Sequence, residues 1–186
     1  MSHPEAVSEP WFSFLMELDD MVSMPVRFDC IGGFVVTMLY GLSHPTADVD
    51  VLEIAPQSAA EAFRLVAMQG GELHKKYGVY LDRVTVAQAP YEYQSRMQEM
   101  FSCAFHNLHL MGLDAYDLAL TKLARNIERD RNDVRYLART VPLDLNLLRE
   151  RYQSELRPYL GNPKREDLTL QLWIEAINED RGSETS

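Results

Sequence analysis

The sequence predicts an α/β (α+β) fold for the front of the chain and an all-helical back, and three observations support this. Two apolar, β-branched runs, residues 26–31 and 48–54, flank a Gly32-Gly33 pair and an apolar helical run. That order reads as strand, glycine turn, helix, strand. Beyond residue 113 the apolar positions recur only at three- and four-residue spacing, the period of amphipathic helices. Proline and glycine punctuate the chain between these runs. At 186 residues the chain is long enough for one domain with a helical annex. The expected organisation is a flexible leader over 1–9, an α/β core over 10–113, a helical region over 114–179 and a tail over 180–186.

Taken in order, Pro10 opens a helix whose stripe is Trp11, Phe14, Leu15, Leu18 and Met21. Pro25 ends it and introduces the strand 26–31. A helix over 34–40 and a turn over 41–46 lead to the strand carrying Asp48 and Asp50. Ser58 is expected to cap a helix through residue 68 with Ala62, Leu65 and Val66 inward, stopped by Gly70-Gly71. The polar segment 72–77 carries no apolar period, and 79–87 alternates as a strand. A short helix is expected over 91–101, and one or two strands around 104–110. Asp114 caps a helix over 115–127 with the stripe Tyr116, Leu120, Leu123 and Ile127. Asp130 starts a helix to 139 with Val134, Leu137 and Ala138 inward. Two further helices are expected, over 144–156 and 165–178, the last with Leu168, Leu172, Trp173 and Ile177 inward.

With 18 Lys+Arg against 28 Asp+Glu the formal net charge is −10. A long polyanion is repelled by such a chain, so extended nucleic acid is disfavoured as a partner. The basic residues Lys122, Arg125, Arg129, Arg131 and Arg135 nonetheless cluster, a zone suited to one small phosphorylated ligand. No apolar run approaches the length of a membrane span, and the first residues lack a basic segment followed by an apolar one. A cytoplasmic protein with no membrane association is the expectation. Cys30 and Cys103 both sit in apolar, strand-like surroundings and read as buried free thiols.

The chemistry concentrates in two places. Asp48 and Asp50, two apart on a strand, point to the same face. Adjacent carboxylates repel unless a cation neutralises them, so the pair is a candidate metal site, against the alternative of a solvated carboxylate face. Asp82, in the run YLDRV, is the best-placed third carboxylate. Gly32-Gly33 lets the backbone approach a ligand and aims amides at an anion, or simply makes a tight turn. The second place is DLALTKLARNIERDRNDVRYL. Helical spacing puts Lys122 and Arg125 on a face opposite Leu120 and Leu123, with Asp130 and Asp133 following. Lys122 then contacts phosphate while Asp130 or Asp133 orients it or acts on the acceptor. The alternative is ordinary salt bridging, which contributes little at a surface.

These two stretches together resemble the nucleotidyltransferase superfamily, and more closely the DUF6036 minimal nucleotidyltransferases, which are related to AbiEii-type toxins. The matching positions are Gly32, Gly33, Gly41, Thr46, Asp48 and Asp50, then Asp117 to Leu123 with Lys122, then Arg129, Asp130 and Asp133. The resemblance implies a mixed β-sheet flanked by helices with a C-terminal helical region. It also implies an enzyme that moves a nucleoside monophosphate from an NTP to an acceptor. Asp48 and Asp50 would bind Mg²⁺ (or Mn²⁺), with Asp82 as a further candidate ligand. Gly32, Gly33, Thr46, Arg125 and Arg129 would meet the nucleotide, and Lys122, Asp130 and Asp133 would complete the catalytic set. His44 stands where the family pattern has arginine, and a shorter, mostly neutral imidazole weakens a phosphate contact there. The acceptor would be a protein, a small molecule or RNA, and a toxin–antitoxin pairing with a protein partner is implied. The competing expectation is a non-catalytic nucleotide-binding or interaction module of the same fold.

Overall fold

The computed structural model describes residues 7–43, 45–85 and 88–184. The chain divides into two units, one of Met1–Ala87 with Arg96–Leu113 and the other of Gln88–Ser95 with Asp114–Ser186. In the first, α1 (Trp11–Asp20) precedes β1 (Val26–Ile31), α2 (Gly32–Met38) and β2 (Asp48–Ala55). Then come α3 (Gln57–Val66), α4 (Glu72–Tyr77), β3 (Tyr80–Arg83), β4 (Gln98–Met100) and β5 (Leu108–Gly112). The sheet order is β3-β2-β1-β5-β4. It is mixed: β1 and β2 are antiparallel, as are β4 and β5, while β2/β3 and β1/β5 run parallel.

The apolar side of this sheet carries Phe28, Cys30, Val49, Val51, Leu81 and Leu110, all buried. Phe28 meets Phe63 of α3 edge-on at 5.8 Å, and Trp11 of α1 meets Phe34 of α2 at 5.0 Å. The other side carries Asp48 and Asp50 because strand side chains alternate. Strict alternation fails once. The β1/β2 register shifts between Asp29 and Cys30, so that Asp29 pairs with Glu53 but Cys30 with Val51, leaving Leu52 as the extra residue. This bulge turns Ile54 inward and Glu53 outward, matching their burial.

Several local expectations are corrected. The inward face of α3 is Ala59, Ala60 and Phe63, and Leu65 is exposed, because Phe63 rather than Leu65 reaches Phe28. Pro56, not Ser58, precedes the helix. Residues 72–77 form α4, anchored by buried Leu73 and ended by Gly78 in the left-handed conformation; one apolar anchor leaves no periodic signal. The strand expected over 79–87 is only β3, and 91–101 yields a 3₁₀ turn, Tyr93–Arg96, then β4. Pairing with Leu110 to Gly112 makes β4 a strand, a long-range partner that local propensity does not encode. Cys103, expected to be buried, is exposed in the turn that follows.

In the helical unit, α5 (Ala115–Thr121), α6 (Glu128–Thr140) and α7 (Leu145–Arg151) precede a π turn, Tyr152–Leu156, and a 3₁₀ turn, Arg157–Tyr159. α8 (Lys164–Glu184) completes it and runs beyond the expected end near 178. Asp114 caps α5 by accepting from the Asp117 N–H at 2.8 Å, and Asp144 caps α7. α5 stops at Thr121, short of the expected 127, so Ile127 is exposed. Val134, Leu137 and Ala138 are buried as the period of α6 requires. On α8 the buried set is Leu170, Trp173, Ile174 and Ile177, whereas Leu168 and Leu172 are exposed. No helix among the described residues is long and apolar enough to cross a membrane.

Asp19 is the polar keystone of the α/β unit. Its buried carboxylate accepts from the backbone N–H groups of His106, Asn107 and Leu108 at 2.8, 2.7 and 2.7 Å, fixing α1 to the start of β5. Asp19→Ala strands these donors and should lower unfolding stability by about 2–4 kcal/mol. Urea denaturation followed by circular dichroism measures the loss; an unchanged midpoint would refute the role.

Candidate metal centre

β2 pairs with β3 in parallel so that Asp48 is partnered by Tyr80, Val49 by Leu81 and Asp50 by Asp82. Paired residues in a parallel ladder share a face, and so do residues two apart. Asp48, Asp50 and Asp82 therefore stand together, each offering a carboxylate oxygen within 4.8 Å of the other two. Asp48 and Asp50 are half-buried and Asp82 is exposed. Three ionised carboxylates at this separation repel, and oxygen ligands so grouped can hold a hard divalent cation.

Two neighbours fix the Asp48 and Asp50 carboxylates. The Thr46 hydroxyl donates to Asp48 Oδ1 at 2.8 Å, which sets the carboxylate's rotation. Gly32 follows β1 directly, one residue after Ile31, the partner of Asp50 in the antiparallel ladder. It adopts φ +72°, and a Cβ built there would lie 1.9 Å from Asp50 Oδ2. Only glycine supplies both this conformation and the space the carboxylate occupies. Gly33 is the second residue of α2. His44 lies outside the described residues.

The surroundings tune two other groups. Burial, then the charges of Asp48, Asp82 and Asp50, raises the Tyr80 phenol above its ordinary range. Sequence reading missed Tyr80; its signal was its place two residues before Asp82. Burial, reinforced by Asp29 and Asp50, raises the Cys30 thiol well above its ordinary value, which keeps it protonated and unreactive.

The second constellation lies within the helical unit and differs from its expected layout. Because α5 ends at Thr121, Lys122 does not continue an exposed helical face; its side chain is 4% exposed. Its ammonium contacts Asp133 Oδ2 at 2.7 Å and Asp130 Oδ1 at 3.7 Å. Arg125 clamps Asp130 through Nε at 2.8 Å and a terminal nitrogen at 2.6 Å. Asp130 also accepts from the Ile127 N–H at 3.1 Å, capping α6. Burial alone would raise the Asp130 carboxyl, but the Arg125 bonds, the Lys122 charge and the Ile127 N–H together hold it below the usual range. Two more members of the basic zone are engaged: Arg131 donates to the Asn126 carbonyl at 2.6 Å, and Arg135 pairs with Asp180. Arg129 is exposed.

A strand, a glycine turn, a short helix and a second strand that contributes two carboxylates, with a third on the parallel neighbour, make an acidic triad that could hold a metal, of a kind typical of nucleotidyltransferases. Over residues 14–180 the chain matches the family described as a nucleotidyltransferase of unknown function, DUF6036, and it belongs to that family. No curated protein and no solved structure gives a significant match.

Gly32→Ala should force Asp50 aside and weaken binding of Mn²⁺ by at least about tenfold, since a ligand carboxylate loses its seat. Titration calorimetry with Mn²⁺ reads this, and wild-type affinity in a folded variant would refute it. Lys122→Ala leaves Asp133 buried without its cation and should destabilise the helical unit by about 3–5 kcal/mol. A shift in denaturant midpoint measures that loss.

Proposed function

We propose that the protein is a divalent-metal-dependent nucleotidyltransferase that transfers a nucleoside monophosphate from an NTP to an acceptor. The observation that carries this reading is the Asp48, Asp50 and Asp82 group, with oxygens within 4.8 Å of one another, on the strands beside Gly32. Its all-carboxylate donor set suits Mg²⁺ or Mn²⁺. Asp48, Asp50 and Asp82 would hold the ion. When bound, it supplies neutralisation of the charge that builds on the phosphates.

The chain's own residues do the positioning. Thr46 fixes the rotation of Asp48, and Gly32 admits the Asp50 carboxylate. Gly33, the second residue of α2, lets the phosphates approach the backbone. The acceptor's nucleophile attacks the α-phosphorus, the bond to the β-phosphate oxygen breaks, and pyrophosphate leaves. Asp82, the most exposed of the three, is open to the acceptor and suited to take its proton. Lys122, Asp130 and Asp133 act as a brace of α5 and α6 in this reading, a role that does not require contact with the nucleotide. A net charge of −10 favours a protein or small molecule over a long RNA as acceptor.

Purified protein incubated with Mg²⁺ or Mn²⁺ and each labelled NTP should release pyrophosphate when an acceptor is present. Asp50→Asn should lower that rate about a thousandfold while leaving the fold intact. Absence of turnover together with absence of NTP-dependent thermal stabilisation would sink the reading. Partner binding that survives Asp50→Asn, without any turnover in the wild type, would instead mark a non-catalytic module.

A further inference from the structure

We propose that Tyr80 is a nucleotide-binding residue whose phenolic hydroxyl donates a hydrogen bond to a phosphoryl oxygen of the triphosphate at the Asp48, Asp50 and Asp82 centre. The inference rests on reading that centre as a site for a metal-bound nucleotide. Tyr80 is the β3 residue paired with Asp48 and lies two residues before Asp82. Its side chain accordingly shares a sheet face with all three carboxylates.

The ring is held from the edge of the sheet. His74 of α4 meets it edge to face at 5.0 Å, and the Gly70 N–H donates to His74 Nδ1 at 2.9 Å, fixing the imidazole in turn. Among the described residues the Tyr80 hydroxyl has no hydrogen-bond partner.

The donor inventory explains why a phosphate needs it. Ionised carboxylates only accept, so the three aspartates offer an incoming phosphoryl group repulsion and no hydrogen bond. The Thr46 hydroxyl proton is already engaged by Asp48. The Tyr80 O–H is the donor that the ladder sets beside Asp48, and as a neutral group it serves an anion without pairing off a metal ligand, as a lysine or arginine there would. His74 acts only by positioning the ring.

Tyr80→Phe removes the oxygen and keeps the ring, its contact with His74 and the strand. Calorimetry with Mn²⁺ alone, with Mn²⁺ plus inorganic triphosphate, and with Mn²⁺ plus each NTP separates the contributions. The expected result is unchanged Mn²⁺ affinity and an unchanged thermal midpoint, with triphosphate and NTP both bound about tenfold more weakly than by the wild type. Wild-type affinity for triphosphate in the variant would overturn the proposal. So would a loss confined to the NTPs, which would assign the hydroxyl to the ribose or base. A wild type that takes up Mn²⁺ but neither triphosphate nor any NTP would refute the nucleotide reading itself, a pattern distinct from both.

Discussion

The approach of the Asp50 carboxylate to the backbone of Gly32 is the constraint on which the α/β unit turns. It needs β1 to end where it does, so that Ile31 pairs with Asp50 and the next residue can bend away in the left-handed conformation. It needs β2 between an antiparallel and a parallel neighbour, because the parallel ladder to β3 brings Asp82 alongside Asp50. A slip of one residue in the β1/β2 ladder would exchange faces, turning Asp48 and Asp50 in towards Phe28 and Cys30 and Val49 and Val51 outward. The large apolar payload on the opposite side of the sheet holds the register against the mutual repulsion of the acids.

The helical unit manages charge differently. Lys122, Asp133, Asp130 and Arg125 form one connected network, and Arg151 similarly joins Asp114 and Asp117 at 2.6 and 3.1 Å. Tyr152 and Arg157 both donate to Asp167, each also at under 3 Å. Such networks specify a packing arrangement more than they add stability, since the desolvation of each member offsets much of the attraction. They also leave much of the basic zone engaged internally, so it is less of a phosphate-seeking surface than its sequence suggests.

Much of the α/β unit was legible because its elements obey local rules. β1 begins after Pro25, Gly32-Gly33 follows it, and the alternation of Asp48 to Val51 assigns one face to acid and one to core. Asp82 was legible as a candidate but not as a partner, since its proximity to Asp50 depends on a ladder between segments thirty-two residues apart. β4 was hidden for the same reason. Lys122 was misjudged through periodicity: spacing from Leu118 to Arg129 extrapolates a helix that in fact ends at Thr121, and the few residues after it turn the side chain inward. Asp19 was not singled out at all, because nothing local reveals three backbone donors almost ninety residues away.

The extra residue in β2 acts as a phase shifter. Upstream of Leu52 the strand's outward positions are Asp48 and Asp50, and downstream they fall on Glu53 and Ala55, an interval that plain alternation cannot span. The acidic and packing halves of one strand are thereby decoupled. The segment from Ile54 onward can answer to the demands of Phe28 and α3 without dictating which face the aspartates occupy. A lineage could therefore remodel the core beneath the far end of β2 while the acidic end kept its geometry.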